Sequence, residues 1–506
     1  MPTISRSVAL QPFRSGSHSG SRARPPLGLA SWRASLLLAG FVAGLSASCG
    51  TGNPGDPNQP GNMSTISKPT LVLITPELGP LSGGTTITLS GTDFREGARV
   101  QFGGTAAQNV VVKSNVEIQV TLPPGQGAIG PVAVSVENTD GGRASSDSLF
   151  SYVRSVVQFA PASTRSVGRS PIAIAADDVN GDGGKELLVA NNIDGTLSVL
   201  LHNLDFNQSG GPYATPALPN ALAISDVNGD GRRDVVLGCG NASSQEVSVL
   251  RGIGNGAFMA SDNFAVGGTV SAVAVKDFDG DGKPDVAATV RSANKLVVLT
   301  NNSVSPAVSF APTQTSYGVS GEPSALLLAD LNSDGRDDVV LSQYAMQQVG
   351  VLLASSTPGS LITPIKTASV GLRPIALAAA ELTGDGRTDL VAANFDGNSL
   401  SVLNGQNDGT FASVSTLSVG EKPTAVATAD MNQDGKLDLI VANSGRNQLW
   451  ILLGRGDGSF DPAQKLNTDA QPWAMVVTNL DGDSKPDIAV THLANHSVSI
   501  FLNRTQ

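Results

Sequence analysis

Between residues 69 and 153 apolar and polar positions alternate, as at Ile87 and Leu89, Ile118 and Val120, and Val132, Val134 and Val136. Turn-forming runs at Gly83-Gly84, Pro123-Pro124-Gly125 and Asp140-Gly141-Gly142 interrupt the alternation. A period of two predicts strands with one buried face, and several of them between such turns predict a small β-sandwich. From residue 156 to 503 the pattern changes. Short segments are apolar on both faces, such as 187–190, or rich in alanine, such as Ala173, Ala175 and Ala176, or Ala376, Ala378, Ala379 and Ala380. Continuous apolar runs suit strands covered on both sides, and alanine suits a crowded axis. Four short strands are expected per unit; in the sixth unit they cover 411–419, 424–429, 439–442 and 448–453. Seven units at a spacing of 48 to 53 residues predict a β-propeller or an array. The final strand, 497–502, has no outer neighbour following it, and 156–160 precedes the first unit without an inner strand. Val157 and Phe159 are therefore expected to pair with the last blade and close the ring.

Between the second and third predicted strands of each unit lies one nine-residue acidic pattern, first seen as D-V-N-G-D-G-G-K-E over 178–186. Oxygen side chains at positions 1, 3, 5 and 9 surround a turn that needs glycine at position 6, a donor set suited to a hard cation, calcium above all. The seven sets are Asp178, Asn180, Asp182, Glu186; Asp226, Asn228, Asp230, Asp234; Asp277, Asp279, Asp281, Asp285; and Asp330, Asn332, Asp334, Asp338. They continue with Glu381, Thr383, Asp385, Asp389; Asp430, Asn432, Asp434, Asp438; and Asn479, Asp481, Asp483, Asp487. One such loop could be an ordinary Asp/Asn/Gly turn, but seven in phase, each with at least three acids, exceed what turn chemistry requires. The fifth and seventh sets are the poorest, with Glu381 and Thr383 in one, and Asn479 and Ser484 (for glycine) in the other.

Charge and the N-terminal segment place the chain. Residues 1–48 hold five arginines and no acid, then a largely apolar run over 34–47, the pattern of an export signal too short to span a bilayer comfortably. Without it, the net charge of −11 would become −16, and 22 of the 43 acids stand at the ligand positions above. The acidity is thus organised for cations, and nucleic acid is not an expected partner. Residues 49–68, poor in apolar side chains, read as a flexible tether. Two cysteines supply no disulfide framework, and Cys239 between Gly238 and Gly240 reads as a small filler in a loop. His492 and His496 have the spacing of a helical zinc pair but fall between strands with no third ligand, and a solvated loop is expected there.

The stretch Leu45-Ser46-Ala47-Ser48-Cys49-Gly50 resembles a bacterial lipoprotein signal, which implies lipidation at Cys49 and anchoring at the outer membrane or cell surface; simple secretion is the alternative. Residues 69–153 resemble the IPT/TIG family of immunoglobulin-like domains, through Pro76, Gly79-Pro80, Gly83-Gly84-Thr85, Gly91-Thr92-Asp93-Phe94, Phe102-Gly103-Gly104 and Phe150-Ser151-Tyr152. Residues 156–503 resemble the FG-GAP or VCBS repeats of integrin α-subunits, with Asn407-Asp408-Gly409-Thr410-Phe411 and Gly456-Asp457-Gly458-Ser459-Phe460 beside the acidic loops. The resemblance implies an all-β protein, an immunoglobulin-like β-sandwich followed by a seven-bladed β-propeller, binding Ca2+. It also implies adhesion to a protein or glycan through the face opposite the metal loops, where Arg169, Glu322, Arg373, Lys422 and Trp473 are expected. The competing expectation is a polysaccharide-acting enzyme that uses the propeller as scaffold, although no nucleophile stands beside a base.

Overall fold

The computed structural model describes residues 68–505, apart from residues 128, 203–204, 209–210, 217, 241–244 and 312. The export signal, Cys49 and all but the last residue of the tether lie outside the described residues. Among these, no helix is long and apolar enough to cross a membrane.

The alternation in the first unit becomes two four-stranded sheets with a small third one. One sheet joins Thr70–Thr75, Thr86–Thr92, Glu117–Thr121 and Gln108–Ser114; the other joins Arg143–Ser146, Val134–Glu137, Arg99–Phe102 and Thr105–Ala106. Ile87, Leu89, Ile118, Val120, Val134 and Val136 turn inward as the alternation requires. Phe102, Phe150 and Tyr152 stack edge to face at 4.9 and 5.4 Å, and the Tyr152 hydroxyl donates to the Pro123 carbonyl at 2.7 Å. Gly91 is obligatory, since a Cβ there would stand 1.9 Å from the Thr70 carbonyl oxygen.

Seven further sheets follow among the described residues, and their innermost strands stand side by side in a closed ring, the first (Pro171–Asp177) flanked by the second (Pro219–Ser225) and the seventh (Pro472–Thr478). Each blade runs inner strand, acidic loop, second strand, third strand, outer strand. The second strands, such as Glu186–Asn191 and Asp389–Asn394, are buried along their whole length. That is why they read as unbroken apolar runs: each blade covers its neighbour's face.

The blade boundary differs from the sequence expectation. Phe411–Ser418, expected to open the sixth unit, pairs with Ser399–Gly405 and is the outer strand of the fifth blade; the sixth blade is Pro423–Ala429, Asp438–Asn443, Gln448–Leu452 and Gln464–Asn467. A repeat fixes a period but not a phase, and a hydrophobic pattern is the same wherever the unit is cut. Closure follows the expected logic with a shifted strand. Ser163–Ser166 forms the outer strand of the seventh blade against Ser497–Phe501. Phe159 adds only a bridge to Asn503, and Val157 is buried between the sixth and seventh blades, exchanging hydrogen bonds with the Gln464 side chain.

At the end of the ring away from the acidic loops, the backbone adopts a conformation that local propensity opposes. In six blades the residue before the inner-strand proline has positive φ without being glycine: Ser170, Leu218, Glu322, Arg373, Lys422 and Gln471, at 53° to 58°. Each turned carbonyl accepts the N–H of the residue that follows the second strand of its own blade, as Asn192 to Ser170 at 2.9 Å and Phe395 to Arg373 at 2.9 Å. Neighbouring blades are then latched by buried side chains. Ser271 donates to the Pro323 carbonyl (2.7 Å), Ser324 to that of Pro374 (2.9 Å), Thr424 to that of Pro472 (3.0 Å), and the Asn220 amide to that of Val270 (3.0 Å).

Ser324→Ala removes one latch and leaves the buried Pro374 carbonyl without that donor, so thermal unfolding should show a loss of roughly 1–3 kcal/mol. The exposed outer-strand change Ser413→Ala should stay within about 0.5 kcal/mol of the parent. Equal melting of the two variants would remove the latch from the account.

Candidate metal centres

Every acidic loop spans the same place, from the end of an inner strand to the start of the second strand. Position 2 is apolar in all seven, and Val179, Val227, Leu331, Leu382, Met431 and Leu480 are buried, which pins each loop to the core by one side chain. Position 9 is the first residue of the second strand: Glu186, Asp234, Asp285, Asp338, Asp389, Asp438 and Asp487 are all 0–1% exposed. One oxygen of this carboxylate accepts the N–H of loop position 2, at 2.7–3.0 Å in all seven. The other accepts the N–H of the residue at the exit of the third strand. That bond is 2.7–2.9 Å in six blades, from Gly252, Asn301, Ala354, Gly405, Gly454 and Asn503, and 3.4 Å in the first, from His202. The position-9 acid therefore joins three parts of its blade.

The remaining ligand positions also turn inward. The position-1 carboxylate accepts the N–H of the position-6 glycine at 2.8–2.9 Å in Asp178, Asp226, Asp277, Asp330 and Asp430. Position 5 accepts the N–H of position 7 at 2.8–3.0 Å in every loop, through Asp182, Asp230, Asp281, Asp334, Asp385, Asp434 and Asp483. Asn180, Asn228, Asn332 and Asn432 at position 3 each accept the N–H of position 5. Glu381 bonds Thr383 and Gly384 instead, at 2.9 and 2.5 Å, and Asn479 bonds Gly482 at 2.8 Å, so both poor sets depart from the common pattern. The position-6 glycines have φ of 76° to 89°, and Ser484 takes 71° in their stead, a strained value for a residue with a side chain.

Among the described residues, two loops bring three carboxylates within 4.8 Å of one another: Asp277, Asp279 and Asp285, and Asp481, Asp483 and Asp487. Asp281 lies outside the first trio. Burial pushes Asp234 up to about 6 and Asp438 up to about 7 against the backbone N–H bonds that lower them, and raises Glu186, Asp285, Asp338 and Asp487 in the same direction. Buried carboxylates with oxygen donors around them fit a hard divalent cation, which would supply the compensating charge.

The other candidates fall as follows. Glu322, Arg373 and Lys422 hold the positive-φ position on the opposite rim and Arg169 stands one residue before it; Arg169 pairs with Asp194 at 2.6 Å and Arg373 with Asp396 at 2.8 Å. Trp473 is in the inner strand, 8% exposed, and belongs to the core beside the first blade, because position 2 of that strand faces the neighbouring blade. His492 is fully buried at the end of a strand, bonded to the Ser499 hydroxyl at 2.9 Å, and burial drives its imidazole down to about 4. It is not the solvated loop residue expected; a polar residue closes the second strand in most blades. Cys239 likewise ends a strand, and burial pushes its thiol up to about 12, as an inert filler requires. Sequence reading missed Arg504, whose Nη1 stands 2.6 Å from Asp481 and 3.1 Å from Asp483. It also missed the contacts of the sixth loop with the segment joining the two domains: the Asn432 amide donates to the Ser155 hydroxyl at 2.8 Å.

A family model described as the IPT/TIG domain matches residues 69–152, and one described as an FG-GAP-like repeat matches 178–237, 226–288, 277–341, 382–441 and 430–490. No curated protein matches the chain. Solved structures similar to it include an auxiliary nutrient binding protein from Bacteroides thetaiotaomicron, with 11% identity, TM-score 0.42 and 86% of this chain against 98% of that one. A second auxiliary nutrient binding protein, from Bacteroides ovatus, has 10% identity, TM-score 0.34 and coverage of 87% and 98%. The periplasmic gluconolactonase of Pseudomonas aeruginosa has 18% identity, TM-score 0.40 and coverage of 74% and 97%.

Cation loading should displace protons from the raised acids. At pH 6, below the value of Asp438 and near that of Asp234, loading should release about one to two protons, and at pH 8 close to none. Titration calorimetry in two buffers of different ionisation enthalpy measures this; proton release that does not vary between pH 6 and 8 would contradict it.

Proposed function

Because the chain belongs to the FG-GAP-like repeat family and carries an IPT/TIG domain ahead of its repeats, we propose that it is an exported, surface-displayed binding protein. Calcium holds its propeller together, and the rim opposite the metal loops engages a protein or glycan. The observation that carries this reading is the division of labour between the two ends of the inner hairpins. One end gathers the acids of the loops. The other presents rings and cations: Arg291 and Arg373 lie 4.6 and 5.3 Å from the centroid of Tyr344, Lys422 lies 5.9 Å from that of Phe395, and Ile193, Met346 and Leu372 are exposed on the same rim. Aromatic faces beside charged groups suit sugar rings and protein side chains alike. Export and lipid anchoring through Cys49 are the parts of the reading that rest on the N-terminal sequence alone.

Two experiments test the two halves. Full-length protein in calcium, screened against surface-protein and glycan panels, should retain a ligand whose affinity falls about tenfold or more in Tyr344→Ala with Lys422→Ala. Unchanged affinity would remove the rim from the proposal. For the metal, a site with calcium at about ten times its dissociation constant contributes roughly 1.4 kcal/mol. Asp281→Ala, in the loop with four aspartates, should therefore lower the melting temperature in calcium more than Asp385→Ala, in the loop with Glu381 and Thr383. The reverse order would contradict the ranking of the sites.

A further inference from the structure

We propose that the seventh loop holds no metal and is closed instead by the chain's own cation, the Arg504 guanidinium. The inference rests on the calcium reading of the other loops and concerns where that reading stops. Nη1 of Arg504 bridges two of the loop's ligand carboxylates, 2.6 Å from Asp481 and 3.1 Å from Asp483. The same loop has Asn479 where five of the others have aspartate, and Ser484, with φ 71°, where all the others have glycine. Asp481 at position 3 keeps the loop at three acids, as many as most of the others hold, but its turn is strained and a permanent positive charge stands against two of those acids.

The arginine is placed by the fold. Its N–H donates to the Gln158 carbonyl at 2.6 Å, the Gln158 N–H donates to the Thr505 hydroxyl at 3.0 Å, and Asn503 beside it bonds Asp487 at 2.7 Å. These contacts belong to the segment that closes the ring, so the guanidinium is tied to the joint between the two ends of the propeller. The sixth blade supplies an internal comparison. Arg455 follows the third-strand exit of that blade as Arg504 does in the seventh, but Asp461, a buried carboxylate, takes it at 2.7 Å and keeps it off the sixth loop's ligands. Where no such acid intervenes, the arginine lies on the loop. Other loop arginines do less: Arg336 touches only Asp334, at 2.6 Å, and Arg387 only Asp385, at 3.7 Å. A guanidinium on two carboxylates gives the closing blade a clamp that does not depend on calcium, at the joint where an open ring would first separate.

The test counts calcium on the full chain, stripped with chelator and then dialysed to saturation, by elemental analysis. Asp281→Asn should lose one equivalent relative to the parent and Asp483→Asn none; an equivalent lost in Asp483→Asn overturns the proposal. If Asp281→Asn also loses none, the calcium reading of the third loop fails, which is a separate result. Arg504→Gln, melted in calcium and in chelator, should lower the transition by the same amount in both. No loss in either condition, or a loss confined to calcium, would show that the guanidinium is not the clamp.

Discussion

The carboxylate at the ninth position of each loop is the constraint on which the propeller depends. It is buried, yet it is an acid, and a buried charge is tolerated only when its oxygens are satisfied. Here one oxygen holds the loop and the other holds the exit of the third strand, so a single side chain ties inner, second and third strands at one end of the blade. Aspartate does this in six blades and Glu186, longer by one methylene, in the first, where the second bond lengthens to 3.4 Å. Backbone N–H groups alone leave Asp234 and Asp438 raised, so the fold contains carboxylates whose charge asks for a positive partner. A divalent cation would be such a partner, and in the seventh loop the Arg504 guanidinium stands on the neighbouring acids Asp481 and Asp483.

That constraint also separates the two faces. With acids gathered at the loop end, the opposite rim is free to be built from other chemistry, and its geometry is set by hydrogen bonds of a different kind: turned carbonyls before the inner-strand prolines, and hydroxyls or amides reaching to the next blade. The sandwich domain approaches the loop end. Arg154 bonds the buried Asp461 at 3.1 Å, Lys465 pairs with Glu77 at 2.7 Å, and a cavity of about 640 Å³ lies between the domains, lined on one side by Leu73, Pro76 and Leu78 and on the other by Gln158 and Gln464. Among the described residues, the two ion pairs fall on the sixth blade, while Tyr344 and Phe395 belong to the fourth and fifth.

Much of this was legible in the sequence because it rests on side chains with a period. The acidic loops, the alternation of the sandwich and the apolar second strands follow from which residue types recur and how often. The parts that escaped rest on context. The cut between blades is invisible in a periodic signal, so Phe411–Ser418 was expected in the wrong sheet. Positive φ before proline contradicts the local preference of Glu322 or Arg373 and exists only because a carbonyl is needed there. Trp473 and His492 looked like surface residues because loop and strand end are a single step apart, and that step decides between rim and core. Arg504 lies 21 residues beyond Asp483, and only the register of the last hairpin brings them together.

The central claim, that a cation at the buried acids holds the propeller, is tested most directly by scanning calorimetry of the full chain in excess calcium and in excess chelator. The account predicts that the transition of the propeller falls markedly in chelator, by an amount that grows with the calcium concentration of the reference scan, while the sandwich, which has no such loop, unfolds at the same temperature in both. Superimposable scans in calcium and chelator would contradict it and leave the seven loops as turns.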